Sequence, residues 1–360
     1  MSFLSDALRD RPMLRGALIA PSGIALIFSL FNLSAPPDPA RIAPLVTVAT
    51  VNLDTGLPFP PINVAGRLIE GLSTRLPTGL RSFDNEDAAR AALEVDEVAA
   101  ILVFPAGFSR AVASTDPVPL SVITSGSVTM VESQMAAALP AMVEAGVATA
   151  VQTFRLAMAQ GRLPDMTSPV ALSTEVIRPV TAPAARAAPF VSGFVLGLIA
   201  MVGALIGYLG TQGLAPRRAA LLHVVLPVVA VPLAASVLTA LVHGFAGGDA
   251  LGLWLGVAGL ALAFTWLFVG ALALIGPLAL LAIVPLVFWQ GALGGTQMPA
   301  AAAPEWLLWL NTLGMDGIGA YLRGVLLGGQ AAFPTVLALG AAGAGLAMIA
   351  LRSLVGRPAA

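Results

Sequence analysis

Lysine does not occur in this chain of 360 residues, and all 18 basic residues are arginine. A phosphate-gripping G-x-x-x-x-G-K-[ST] loop is therefore impossible, as are lysine Schiff bases and the pyridoxal chemistry built on them. If ATP is used, another polypeptide must bind it. Cysteine is absent as well, which removes disulfides and thiolate metal sites and leaves the redox compartment unreadable. Charge of either sign is scarce. Only 10% of residues are charged against 58% hydrophobic, and mean hydropathy is +0.90, a balance that a soluble core cannot absorb and lipid-facing helices require. A formal net charge of -1 and the lack of any basic stretch offer no field for nucleic acid.

A helix needs about 20 apolar residues to cross the hydrocarbon core. Six uncharged runs approach that length: residues 16–33, 190–210, 221–242, two within the charge-free stretch from Asp249 to Glu305, divided near Gly276 and Pro277, and 333–351. Arginine position orients them, because basic residues in short loops stay on the cytoplasmic side. Arg9, Arg11 and Arg15 precede the first run, Arg217 and Arg218 lie between the second and third, and Arg352 and Arg357 end or follow the last. With six spans all three groups fall on one side, so both termini are expected in the cytoplasm of a multi-pass plasma-membrane protein. The opposite loops carry Asp249, Glu305 and Asp316 with Arg323 alone. A cleaved signal peptide is the rival for the first run, since Ser34 and Ala35 are small, but the run exceeds the usual apolar core of about 7–15 residues.

Three regions follow: residues 1–34, a cytoplasmic segment and transmembrane helix 1; 35–189, an extracytoplasmic domain; and 190–360, a five-helix transmembrane domain. The middle region holds most of the acidic residues and alternates short apolar runs with helical patterns, as an α/β domain does. Strands are expected at residues 45–53, 79–83, 98–104 and 119–124. Helices are expected at 62–76, at 86–94 with Asn85 as cap, and at 128–160 with an interruption near Pro140. After Gly161 the chain is rich in proline and alanine and is expected to return to the membrane. The fold class is thus a polytopic α-helical membrane protein of about six transmembrane helices, with an α/β domain inserted between helices 1 and 2.

Several fragments hint at chemistry. Asp54-Thr55-Gly56 matches the D-T-G of aspartic proteases, whose mechanism needs two carboxylates sharing a proton. No second copy exists, so a strand-to-turn exit is the plainer reading. Gly107-Phe108-Ser109-Arg110 approaches a nucleophile elbow, but Ala111 replaces the final glycine and the external region has no histidine to act as base. His223 and His243 lie on one run, about 30 Å apart at 1.5 Å per residue, too far to share a metal. No catalytic residue, metal site or cofactor is expected. Runs two to six carry no carboxylate at mid-membrane, where an ion-coupled carrier needs one. Small residues at spacing four, Gly193 and Gly197, Gly203 and Gly207, Gly252 and Gly256, suit close helix packing within the bundle or at a dimer seam. Pro227, Pro232, Pro277 and Pro285 are expected to kink their helices.

Four passages, in order, carry a resemblance. Residues 48–56 (VATVNLDTG), residues 83–108 (FDNEDAARAALEVDEVAAILVFPAGF) with Ser109, residues 188–205 (APFVSGFVLGLIAMVGAL), and residues 297–328 with Pro299, Pro304, Trp306 and Arg323 resemble the permease subunits of type-2 ABC transporters. They are most similar to the phage infection protein (YhgE/Pip) branch, whose external domain is often larger and partly coiled coil. The resemblance implies a membrane permease subunit of an ATP-driven exporter in the bacterial inner membrane, paired as a homodimer or with a related permease and driven by a separate cytoplasmic ATPase. It also implies short helices dipping into the outer leaflet between spans five and six.

Arg217 and Arg218, in the short inner loop at residues 211–220, are the candidate ATPase contacts, with residues 2–15 as an amphipathic lead-in helix. A role in topology alone fits the two arginines as well. Trp306, Trp309, Tyr321 and Arg323 are the candidate external interfacial helix, with Leu307, Leu310 and Leu313 facing lipid or protein, and anchoring alone would explain them. The alternative function is a non-transporting surface protein whose external domain serves as a receptor or as a secretion or envelope accessory.

Overall fold

The structure, a computed structural model, describes residues 42–58, 61–114, 116–158, 169–180, 182–288, 294–303, 305–329 and 332–355. The expected first span at residues 16–33, the lead-in at 2–15 with Arg9, Arg11 and Arg15, and also Pro304 and Arg357 lie outside the described residues.

The first half builds a mixed sheet. β1 (Thr47–Asn52) is followed by a two-residue ladder, β2 (Leu57–Pro58) and β3 (Pro61–Ile62), and by α1 (Val64–Arg75). β4 (Gly79–Phe83), α2 (Glu86–Glu94), β5 (Ala100–Phe104), α3 (Phe108–Ala113), β6 (Val118–Ser125), α4 (Met130–Met158) and β7 (Val170–Ile177) complete it. Strand order is β4-β1-β5-β6-β7, parallel throughout except for the β5–β6 pair. The helix starts follow from local chemistry: the side chain of Asn63 accepts from Gly66 N at 2.7 Å, and that of Asn85 accepts from Ala88 N at 2.8 Å.

Both faces of the sheet are covered, which is why β5 is apolar at every position and buried throughout. With a side-chain period of two, Ala100, Leu102 and Phe104 meet α1, α3 and α4, while Ile101 and Val103 meet Ala89 and Leu93 of α2. α4 presents Ala136, Leu139, Val143, Val147 and Val151 to the first of these layers, at the three- and four-residue spacing of one helical face. The expected strands and helices through residue 125 all form, within one or two residues at most ends. Two expectations past that point are corrected. α4 runs unbroken through Pro140, which only withholds one donor. The chain after residue 168 does not return directly to the membrane but first adds β7 to the sheet edge.

The second half is helical: α5 (Pro183–Gly210), α6 (Pro216–Ala246), α7 (Ala250–Ile275), α8 (Leu280–Phe288), α9 (Asp316–Leu327) and α10 (Thr335–Val355). Among the described residues five stretches are long and apolar enough to cross a membrane: 130–157, 183–210, 216–246, 250–288 and 335–355. The first is α4, whose apolar face is already spent on the sheet. The rest have no such cover. Along α6 a row at spacing four, Val225, Val229, Leu233, Val237, Leu241 and Phe245, is 48–75% exposed, a continuous apolar face that only lipid solvates at low cost. The chain is a membrane protein with an α/β sheet domain.

α7 is the centre of the bundle, packed by α5, α6 and α10. A Cβ at Gly270 would stand 2.6 Å from Gly345 O, and one at Gly345 would stand 2.3 Å from Trp266 C, so α7 and α10 approach backbone to backbone. Gly203 and Gly207 face Thr265 and Val269 of α7, placing that pair in packing within the chain. α7 stops at Gly276, whose φ of +67° only glycine tolerates well, and Pro277 opens a 3-10 turn (Gly276–Ala279) before α8. The expected division of the long apolar stretch falls there. Of the expected fifth span the described helix is α8 alone.

Candidate functional site

The sheet domain and the helical bundle are keyed together at Arg323 of α9. Asp96, two residues past α2, adopts φ of +59°, a left-handed conformation that aspartate tolerates better than most residues. Arg323 Nη2 donates to Asp96 Oδ2 at 3.1 Å, and its Nη1 donates to the carbonyl of Gly295. Ser127 Oγ donates to the other Asp96 oxygen at 3.3 Å, and Arg178 Nη1 donates to Ser127 Oγ and Glu94 O, both at 3.4 Å. Val131 N donates to Gln297 O at 3.0 Å. Beside this polar cluster Ile42, Val46 and Ala99 pack with Val131, Met135 and Ala302. Arg323 is 9% and Asp96 22% exposed along the side chain, so the pair is largely desolvated and loss of either partner strands a charge.

Two cavities flank Arg323. One, of about 350 Å³, lies between β6, β7, α4, the first turns of α5 and the end of α9, and carries Arg186, Arg323 and Thr296. The other, of about 430 Å³, is acidic, with Glu94, Asp96, Glu97, Glu132 and Asp316 on its wall.

The four residues expected as an external interfacial helix separate. Trp309, on a 3-10 helix (Glu305–Leu313), is 59% exposed, as an interfacial anchor requires, and Leu313 is 51% exposed beside it. Leu310 is turned inward, and the side chains of Trp306 and Leu307 lie outside the described residues. Tyr321 is not at the surface, which corrects the expectation of a belt residue. Its hydroxyl donates to Gly252 O at 2.6 Å, its ring meets that of Phe333 edge-on at 5.5 Å, and a Cβ at Gly256 would stand 2.1 Å from it. Gly252 and Gly256 thus make room for α9 within the chain. Arg323 is buried by the contacts above.

At the opposite end of α5, residues 211–215 turn into α6 through Gly213 at φ +82°. Arg217 and Arg218 occupy the first turn of α6, exposed and without an ion-pair partner among the described residues. That placement opposes the helix dipole, which disfavours cations at an N-terminus by about 0.3–1 kcal/mol each, so helix stability does not account for them. His223 Nε2 and Thr211 Oγ1 share a hydrogen bond of 2.7 Å beside a cavity of about 250 Å³ that Arg352 also lines. His243 Nδ1 instead meets Gly248 O at 3.1 Å. No group of three metal-ligating side chains occurs among the described residues.

The two enzyme-like fragments come together as a structural knot. Asp54 Oδ1 accepts from Ser109 N at 3.1 Å, Asp54 Oδ2 accepts from the Ser109 hydroxyl, and Ser109 Oγ accepts from Val64 N at 2.8 Å. Both residues are buried. The carboxylate caps α3, and the hydroxyl caps α1. No histidine stands between the buried carboxylate and hydroxyl, so the arrangement ties β1, α1 and α3 rather than building a triad.

Sequence reasoning missed Asp96 and Arg186. The signal for Asp96 was an Asp directly after a helix, where a left-handed residue is common. For Arg186 it was an arginine one turn ahead of an apolar run.

No family model matches the sequence, and no curated protein matches it. Among solved structures the chain is similar to a domain assigned to an ABC type-2 transporter from Thermotoga maritima MSB8, at 17% identity over 36% of this chain and 85% of that one. The TM-score is 0.28, too low to establish a shared fold.

Proposed function

We propose that the chain is the membrane permease subunit of an ATP-driven exporter, working with a separate cytoplasmic ATPase and paired with a second copy or a related permease. The observation that carries the reading is a bundle whose apolar runs hold no carboxylate from residue 190 to 246 and from 250 to 304. An ion gradient finds no carboxylate there to bind, whereas an ATPase acts from outside the bilayer. Support also comes from Arg217 and Arg218, exposed at the inner turn in a position that works against their own helix. They suit an acidic surface on a partner. The ordered resemblance to type-2 permeases points the same way. On this reading the chain has no ATPase site and no catalytic set of its own.

Purification from native membranes with identification of co-isolating subunits tests it. An ATPase is expected to co-purify, and export is expected to stop when that ATPase is removed. Repeated isolation of the protein without one, with export unchanged when ATP hydrolysis is blocked, sinks the proposal.

A second reading, a non-transporting surface receptor or envelope accessory, is favoured by the edge position of β7, beside which no further strand lies among the described residues and where Glu175 and Val176 are exposed. An unpaired strand edge is a ready docking line. Replacing residues 40–185 by a short linker separates the two: a receptor loses all function, while a permease keeps its association with the ATPase.

A further inference from the structure

The cavity of about 350 Å³ beside Arg323 has the walls of a binding site that neither reading above requires. Its charged side chains are Arg186 and Arg323, with no carboxylate on its wall. Arg186 is exposed and has no partner among the described residues. Thr296 is 5% exposed, and its Oγ1 is buried with no hydrogen-bond partner among the described residues. Arg323 Nε is in the same condition, although the other guanidinium nitrogens are used. Buried hydroxyl and guanidinium groups without partners are costly, because each has given up water for nothing. An acceptor bearing negative charge satisfies both at once.

The rest of the wall is uncharged: Met130, Val122 and Leu327 supply apolar surface beside the polar side chains of Thr124, Ser133, Gln134 and Thr174. Arg186 stands four residues ahead of Phe190, where the apolar run of α5 begins, a rise of about 6 Å. The arginine is therefore level with the end of the hydrocarbon-spanning segment, where lipid headgroups lie.

We propose that this cavity binds the anionic head of an amphiphile. A phosphate or carboxylate group is held by Arg186 and Thr296 beside Arg323, and its apolar chain lies against Met130 and Leu327. The volume is within the range of small-ligand pockets and holds a headgroup with the first part of a chain. Occupancy does not depend on whether the chain transports anything.

The test uses the full-length protein in a non-ionic detergent, titrated with dihexanoyl phosphatidic acid, dihexanoyl phosphatidylcholine and inorganic phosphate. Phosphatidic acid is expected to bind at least tenfold tighter than either of the others. Arg186→Gln and Thr296→Val are each expected to weaken it about tenfold. Neither substitution removes an existing hydrogen bond of the described structure, so folding should survive, and Arg110→Gln, an exposed arginine elsewhere, serves as control. Equal binding of phosphate alone would overturn the amphiphile in favour of a free anion. Equal binding of phosphatidylcholine, or identical affinities for the two cavity variants and the control, would overturn the site itself.

Discussion

Arg323 and Asp96 stand 227 residues apart in sequence and 3.1 Å apart in space, and their ion pair joins the helical bundle to the sheet domain. Replacing Arg323 by Met keeps the aliphatic stem but leaves a partly buried carboxylate with Ser127 alone. A loss of about 2 kcal/mol is expected. In a cycle with Asp96→Asn the coupling should lie at about 1–3 kcal/mol, read from thermal unfolding in detergent. A coupling of zero would show that the two halves are held by other contacts.

Glycine at two places on α10 should behave oppositely. Gly345→Ala drives a methyl into the Trp266–Leu267 backbone, at 2.3 and 2.4 Å, and separating α10 from α7 is expected to cost about 2 kcal/mol or more. Gly343→Ala meets nothing within 4 Å and should be neutral or stabilising by about 0.5–1 kcal/mol through helix propensity. Melting temperatures of the two variants in the same detergent decide the matter.

The edge strand β7 is pinned by a fork. Arg90 Nη1 and Nη2 donate to the two Glu175 oxygens at 2.9 and 2.6 Å, while Arg90 Nε donates to Glu86 at 2.7 Å. The Arg90 hydrogen bonds hold the Glu175 carboxyl below the ordinary glutamate value of 4.5. A depressed folded value means that the contribution is complete above the ordinary range and fades as pH falls through the folded value. Since Glu175 is half exposed, the contribution at neutral pH is about 0.5–1 kcal/mol. Chemical denaturation of wild type and Glu175→Gln should differ by that amount at pH 7 and converge as pH falls below about 4. A gap that persists in acid would assign the effect to packing.

Ser109→Ala strands the Val64 N–H and removes the hydroxyl that Asp54 accepts from, so the sheet domain is expected to lose about 1–3 kcal/mol. Export measured well below the melting temperature should be unchanged. Loss of export in a still-folded Ser109→Ala protein would restore the case for chemistry at this pair.

Arg217→Gln combined with Arg218→Gln removes two cations from a helix N-terminus. Stability should hold or rise by about 0.3–1 kcal/mol per site, while co-isolation with the ATPase falls. If instead the protein inserts in mixed orientation and the correctly inserted fraction retains its ATPase, the arginines set topology only.

Most of the sheet domain was legible because its signals are local. Asn85 announces α2, and a run of five apolar residues announces β5. β7 was not legible: seven of its eight residues are exposed or half-exposed at an edge, with no alternation to read. Tyr321 looked like a belt residue because it is an aromatic in the segment between the last two apolar runs, and residue type alone does not say whether a ring meets lipid or α7. Arg323 was singled out from the sequence as part of an interfacial helix, but it is buried. Its partner lay beyond reach, since a single sequence gives no means of pairing side chains from two separate modules.

α5 runs without a break from Pro183 to Gly210, about 42 Å at 1.5 Å per residue. It carries Arg186 at one end and leads into the turn at residues 211–215 at the other. Such a rod is a lever: a tilt of roughly 5° about its middle moves each tip by about 2 Å in opposite directions. A displacement of the turn at residues 211–215 that tilts the rod would therefore also change the gap between Arg186 and the sheet, with no signal passed through side chains in between.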